Sequence, residues 1–153
     1  NISITYDFGD NPPADINKYF IGRLPRYGKP YHHKTQAKNN KLSINTRDLG
    51  TFVLVKDTKA PEIRALNFSD SKWISENKTL KLKIEDELSG IASYRATING
   101  KFILMEYEYK DKTLTYHFSD KVISDTENNF TLIVLDNVGN SATFEATFYR
   151  KEL

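Results

Sequence analysis

Few side chains in this 153-residue protein are equipped for chemistry, and their spacing limits what they can do. The only imidazoles are His32, His33 and His117, and there is no cysteine. A zinc site needs three or four ligands that loop or helix spacing brings together. Adjacent residues on a strand point to opposite faces, so His32 and His33 cannot both reach one ion without distortion. In TLTYHF, His117 alternates onto the solvated face. All three read as surface or hairpin residues. No Ser nucleophile elbow and no Gly-rich phosphate loop occurs. Glu85-Asp86-Glu87 offers paired carboxylates, but general-acid work needs one of them buried with a raised pKa, and a run at a strand end reads as a solvated turn. The sequence predicts no catalytic residue and no cofactor.

Two constellations remain. Asp57, Asp86 and Asp136 each end an apolar run just before a turn-forming stretch. In a sandwich of two sheets those turns share one pole, so three carboxylates should meet there. Ca²⁺, which takes six to eight oxygens, is one way to neutralise them. The favoured reading is that each Asp caps its own turn, with the Ser89-Gly90 and Val138-Gly139 amides and Lys59 offsetting the charge. The second constellation is aromatic. Trp73, Tyr107 and Tyr109, with Tyr94, suit a ligand-stacking platform for sugars, although cross-strand aromatic pairs that stabilise a sheet are the commoner use.

The elements that must position these residues are strands. TLKLKIE (79–85), TLTYHF (113–118) and ATFEATF (142–148) alternate apolar and polar residues, the mark of antiparallel strands with one buried face. NFTLIVL (129–135) and FILM (102–105) are apolar on both faces and suit central or covered strands. Asn99-Gly100 predicts a tight hairpin. From Pro61 onward seven strands are expected, at 62–68, 79–85, 91–98, 101–106, 113–118, 129–136 and 141–149. That density predicts an all-β, immunoglobulin-like antiparallel sandwich over 62–153. Residues 1–56 hold four or five strands, too few for a full sandwich, and read as a smaller or partial β-domain; residues 57–61 link the two. His33 to Lys41 reads as a hairpin loop. With 22 basic and 20 acidic side chains interspersed, there is no electrostatic footprint for nucleic acid. No apolar run approaches the ~20 residues of a membrane helix, so no membrane span is expected.

LGTFVLVKDTKAP, DELSGIASYRATINGKFILMEYEYK and TLIVLDNVGNSATFEATFY together resemble the C-terminal tail of Bacteroidetes proteins that carry a LytM/lysostaphin-type zinc endopeptidase (murein endopeptidase) domain upstream. The shared pattern is a D-x-x-x-P linker (Asp57, Pro61), D-x-x-S-G-I (Asp86, Ser89, Gly90, Ile91), an N-G-K hairpin (Asn99 to Lys101) and D-N-x-G-N (Asp136, Asn137, Gly139, Asn140). The family's catalytic H-x-x-x-D and H-x-H elements do not occur, so the resemblance transfers no catalytic residue. It implies a non-catalytic accessory module acting as spacer, orienting or substrate-binding domain. The implied partners are an upstream catalytic domain of the same polypeptide and peptidoglycan or a cell-envelope protein. The implied location is the envelope, whether periplasmic, outer-membrane-associated or secreted; no basic-plus-apolar leader follows Asn1 to mark export. The alternative is a stand-alone Ig-like surface module that binds carbohydrate or protein through Trp73 and the tyrosines.

Overall fold

Alternation in the sequence becomes alternation in burial. In the segment Thr79–Glu85, Leu80, Leu82 and Ile84 are fully buried while Lys81 is exposed. The computed structural model describes residues 1–121, 123 and 125–151; residues 152 and 153, assigned to the sandwich by sequence, lie outside the described residues.

The first part of the chain forms β1 (Ile2–Asp7), β2 (Tyr19–Leu24), β3 (Tyr31–His32), β4 (Gln36–Lys38), β5 (Lys41–Thr46) and β6 (Thr51–Lys56). They pair into two three-stranded antiparallel sheets, β1-β5-β4 and β3-β2-β6. Ile21, Leu42 and Ile44 form the buried cluster of this unit, with Ile4, Phe8 and Phe52 packed on it. The stretch expected to be a loop, His33 to Lys41, instead holds β4 and a two-residue turn. Asn39 and Asn40 both have positive φ, 49° and 62°, which is what the tightest hairpin turn demands and what asparagine tolerates better than most residues.

After residues 57–61 come β7 (Glu62–Ala65), β8 (Lys72–Trp73), β9 (Thr79–Glu85), β10 (Ile91–Ile98), β11 (Lys101–Ile103), β12 (Glu106–Glu108), β13 (Thr113–His117), β14 (Glu127–Asp136) and β15 (Ser141–Tyr149). One sheet runs β12-β13-β9-β7 and the other β11-β10-β14-β15-β8. This is the strand order of an immunoglobulin-like sandwich. Its core is built from the facing sides of the two sheets: Leu80, Leu82, Ile84, Leu114 and Tyr116 against Ile98, Phe130, Leu132, Val134 and Phe148. Phe144 is only partly buried, its ring edge-on to Phe68 and Phe130.

Several elements differ from the sequence expectation, and the first strand of the sandwich already ends at Ala65 instead of residue 68. Residues 101–106 are not one strand. β11 pairs with β10 and β12 with β13, so Leu104 and Met105 carry the chain from one sheet to the other. FILM is also not central: Ile103 and Met105 turn into the core, whereas Phe102 and Leu104 are 59% and 69% exposed on an edge. Apolarity on both faces marked a crossing here, not a covered strand. Trp73, outside every expected strand, belongs to β8, a short strand parallel to the end of β15 (Tyr149↔Trp73).

Because Leu82 is fully buried between β7 and β13, truncation to Ala is expected to destabilise the chain by ~2–5 kcal/mol. Chemical denaturation of the variant measures this, and an unchanged midpoint would remove Leu82 from the core.

Candidate functional site

Asp57 follows β6, Asp86 follows β9 and Asp136 ends β14, and the topology brings these three strand ends to one pole. One carboxylate oxygen from each lies within 4.8 Å of the others. Asp57 and Asp136 are 1% and 2% exposed. A buried carboxylate is costly unless hydrogen bonds or counter-charges satisfy it. Here backbone amides do the work. Asp57 accepts from the Lys59 amide (3.1 Å) through Oδ1 and from the Ser89 amide (2.9 Å) through Oδ2. Asp136 Oδ1 accepts from the amides of Val138 (3.0 Å) and Asn140 (2.7 Å). Asp86 Oδ2 accepts from the amides of Gly90 (2.8 Å) and Leu88 (3.2 Å).

Asn140 ties the segments together. Its Nδ2 donates to Asp136 Oδ2 (2.7 Å) and to the carbonyls of Asp57 (3.1 Å) and Lys59 (3.3 Å). The positive φ of Gly139, 79°, lets the turn double back to place it. Asn137 Nδ2 donates to the Ser89 carbonyl (2.7 Å). The first unit joins directly: the Asp57 amide donates to the Lys18 carbonyl (2.9 Å), and Lys18 Nζ donates to the Val138 carbonyl (3.3 Å). Residues 57–61 are therefore woven into the joint.

Lys59 plays a different part from the one expected. Only its backbone serves the aspartates; its ammonium pairs with Glu62 (3.0 Å) and Glu87 (3.2 Å), and Lys29 also pairs with Glu87. None of the ion pairs among the described residues includes Asp57, Asp86 or Asp136. Burial, aided by the charges of Asp57 and Asp136, raises the Asp86 pKa against the pull of the Gly90 and Leu88 amides.

The histidines do not assemble into a site. His32 packs on Phe20, ring centroids 5.0 Å apart, and burial together with neighbouring His33 lowers its pKa while Asp136 opposes this. His33 sits against Phe52 and 3.8 Å from Asp48, and His117 lies 3.5 Å from Glu106.

Beside the joint lies a cleft of about 480 Å³ between the 27–32 loop of the first unit and the 84–91 segment of the sandwich. Tyr107 and Tyr109 line it from the sandwich, Tyr27 and Tyr31 from the first unit. The Tyr107 ring is edge-on to Tyr109 at 6.0 Å and 5.8 Å from Tyr94. Trp73 is not part of this group. It adjoins Tyr149 (5.4 Å), at the far end of β15 from the joint, and eight residue steps of strand place it ~26 Å away. The expected single aromatic platform is two separate places. The contribution of Tyr27 and Tyr31 escaped the sequence reading because it depends on how the two units pack.

No protein-family model and no curated protein matches the chain. Among solved structures, the endo-beta-1,4-mannanase from Thermotoga petrophila is similar over 63% of this chain and 21% of its own, with 11% identity and a TM-score of 0.49. The fibronectin(III)-like modules of Clostridium thermocellum CbhA are similar over 97% of this chain and 85% of theirs, with 12% identity and a TM-score of 0.45. The chain spans about a fifth of the mannanase's length. The sandwich assignment rests on the strand order itself.

Two measurements check the chemistry of the joint. Asp136→Ala strands buried amides of Val138 and Asn140, a loss of ~2 kcal/mol or more. Millimolar Ca²⁺ is expected to leave the wild-type melting temperature unchanged, since N–H donors already occupy both oxygens of Asp57 and Asp136; a calcium-dependent rise that Asp136→Ala abolishes would make the trio a metal site.

A carboxyl whose folded pKa lies above its unfolded value binds protons more tightly in the folded chain. Its charge therefore costs stability above the folded pKa, and the cost disappears below the ordinary value of 3.8. Asp86→Asn keeps an acceptor for Gly90 and Leu88 and adds a donor toward its neighbours. It is expected to raise the melting temperature by a few degrees at neutral pH, with the advantage shrinking as pH falls toward 3.8. A constant or negative difference across that range contradicts the assignment.

Proposed function

We propose that the chain is a non-catalytic accessory module that holds neighbouring parts of its protein at fixed spacing and orientation. The observation that carries this reading is the joint. Its linker aspartate is buried, its backbone is bonded to both units, and Asn140 bridges the strand turn and the linker. A tether that only kept two units together would have no use for buried carboxylates. Its composition would instead favour Gly, Ser or extended Pro, solvated along its length.

The resemblance of the linker, D-x-x-S-G-I and D-N-x-G-N patterns to tails of LytM/lysostaphin-type endopeptidases supports placing the module beside a catalytic domain of an exported, peptidoglycan-directed zinc enzyme. The comparisons with known proteins supply no peptidase link, and this placement stands on the pattern alone. A stand-alone binding module is the second reading, favoured by the tyrosine-lined cleft next to the joint.

Absence of cysteine makes the rigidity directly measurable. Spin labels at Lys38→Cys and Lys101→Cys, one exposed position on each unit, are expected to give a single narrow distance distribution by electron–electron resonance. Asn140→Ala should broaden it. A broad distribution in the otherwise wild-type chain would make the linker a hinge and end the spacer reading.

A further inference from the structure

We infer that the cleft between the 27–32 loop and the sandwich binds a neutral oligosaccharide through the faces of Tyr27 and Tyr109. The inference rests on the fixed joint, because the two walls belong to different units and must be held in place relative to one another. The cleft's volume, about 480 Å³, lies within the ~300–1,000 Å³ of ligand pockets, which favour such domain junctions.

The walls specify the chemistry. Tyr27 and Tyr109 are 80% and 81% exposed, whereas Tyr107 is half-buried and holds Tyr109 edge-on. These are the two most exposed of the large hydrophobic side chains among the described residues. A tyrosine ring is an apolar plate with a polar tip, and it loses little conformational entropy on binding. That suits the C–H face and hydroxyl rim of a pyranose. The aliphatic side chains that line the cleft, Ile84, Leu88 and Ile91, are buried or partly covered, so the tyrosine rings are its most exposed apolar surface.

The charged groups argue for neutrality. Lys29 pairs with Glu87, and Glu85 pairs with Lys83 at 2.7 Å and lies 3.9 Å from Lys112, while Asp86, which has no cationic partner, accepts from the amides of Gly90 and Leu88. An anionic or cationic ligand would have to break into these pairs. Hydroxyl groups donate to the carboxylates and accept from the ammonium groups without doing so.

The test titrates the intact chain with cellotetraose, mannotetraose and chitotetraose by calorimetry. The three probes separate plain hexose chains from the N-acetylated sugars of cell walls. At least one is expected to bind with millimolar affinity or better. Tyr27→Ala and Tyr109→Ala should each weaken binding about tenfold or more, and both positions are exposed enough to leave the fold intact. Trp73→Ala, at the opposite pole, should change nothing. Absence of binding by all three probes overturns the inference, as does binding that survives both tyrosine changes or disappears with Trp73→Ala. If binding is absent while the spin-label distance stays narrow, the cleft assignment fails and the rigid joint stands. If the distance is broad as well, both fail together.

Discussion

Everything in this molecule depends on how two carboxylates find hydrogen-bond donors out of water. Asp57 and Asp136 sit at the junction of two β units with almost no exposure. No ammonium or guanidinium group among the described residues pairs with them, and they are held by N–H groups alone. Hydrogen bonds to a charged acceptor are roughly twice as strong as neutral ones. Their donors here come from the linker, the 86–90 turn and the 136–140 turn. Satisfying the charges therefore requires all three segments to be in place at once. That requirement joins the units.

The same constraint explains why a small N-terminal unit is ordered. Its own buried cluster is Ile21, Leu42 and Ile44, a core too small to hold fifty-odd residues unaided. Phe20, on the opposite face of β2 from Ile21, is also fully buried, and its ring meets His32, which feels the charge of Asp136. Gly22 lets the 30–31 segment lie close, since a Cβ there would come within 3.0 Å of Pro30 and 3.1 Å of the Tyr31 carbonyl. The packing that seats the first unit against the sandwich also aims the 27–32 loop and raises one wall of the cleft.

Much of the sandwich was legible because one physical signal, period-two alternation, survives folding unchanged. Thr79–Glu85, Ile91–Ile98 and Ser141–Tyr149 have the bounds expected from the sequence. The convergence of Asp57, Asp86 and Asp136 was legible too, since strand order alone puts those turns at one pole. What escaped depends on contacts that alternation does not encode. The sheet change at Leu104 and Met105 looks like a strand because the apolar run continues through it. β8 is two residues long and is defined only by its neighbour. Lys59 was given to the aspartates on charge alone, but its ammonium reaches Glu62 and Glu87 in solvent while its amide stays inside. The reach of Asn140 back to the linker carbonyls is a tertiary fact.

The central claim is that the joint is as firmly held as the core, and amide hydrogen exchange tests it most directly. The amides of Ser89, Val138 and Asn140 lie in turns, where exchange is ordinarily fast, yet each donates to a buried carboxylate. If the carboxylates bind the units into one body, these three amides exchange only by global opening, at rates comparable to amides of β9 and β14. Exchange of Ser89, Val138 and Asn140 at the rate of the exposed Gly100 amide, with β9 and β14 still protected, would contradict the account.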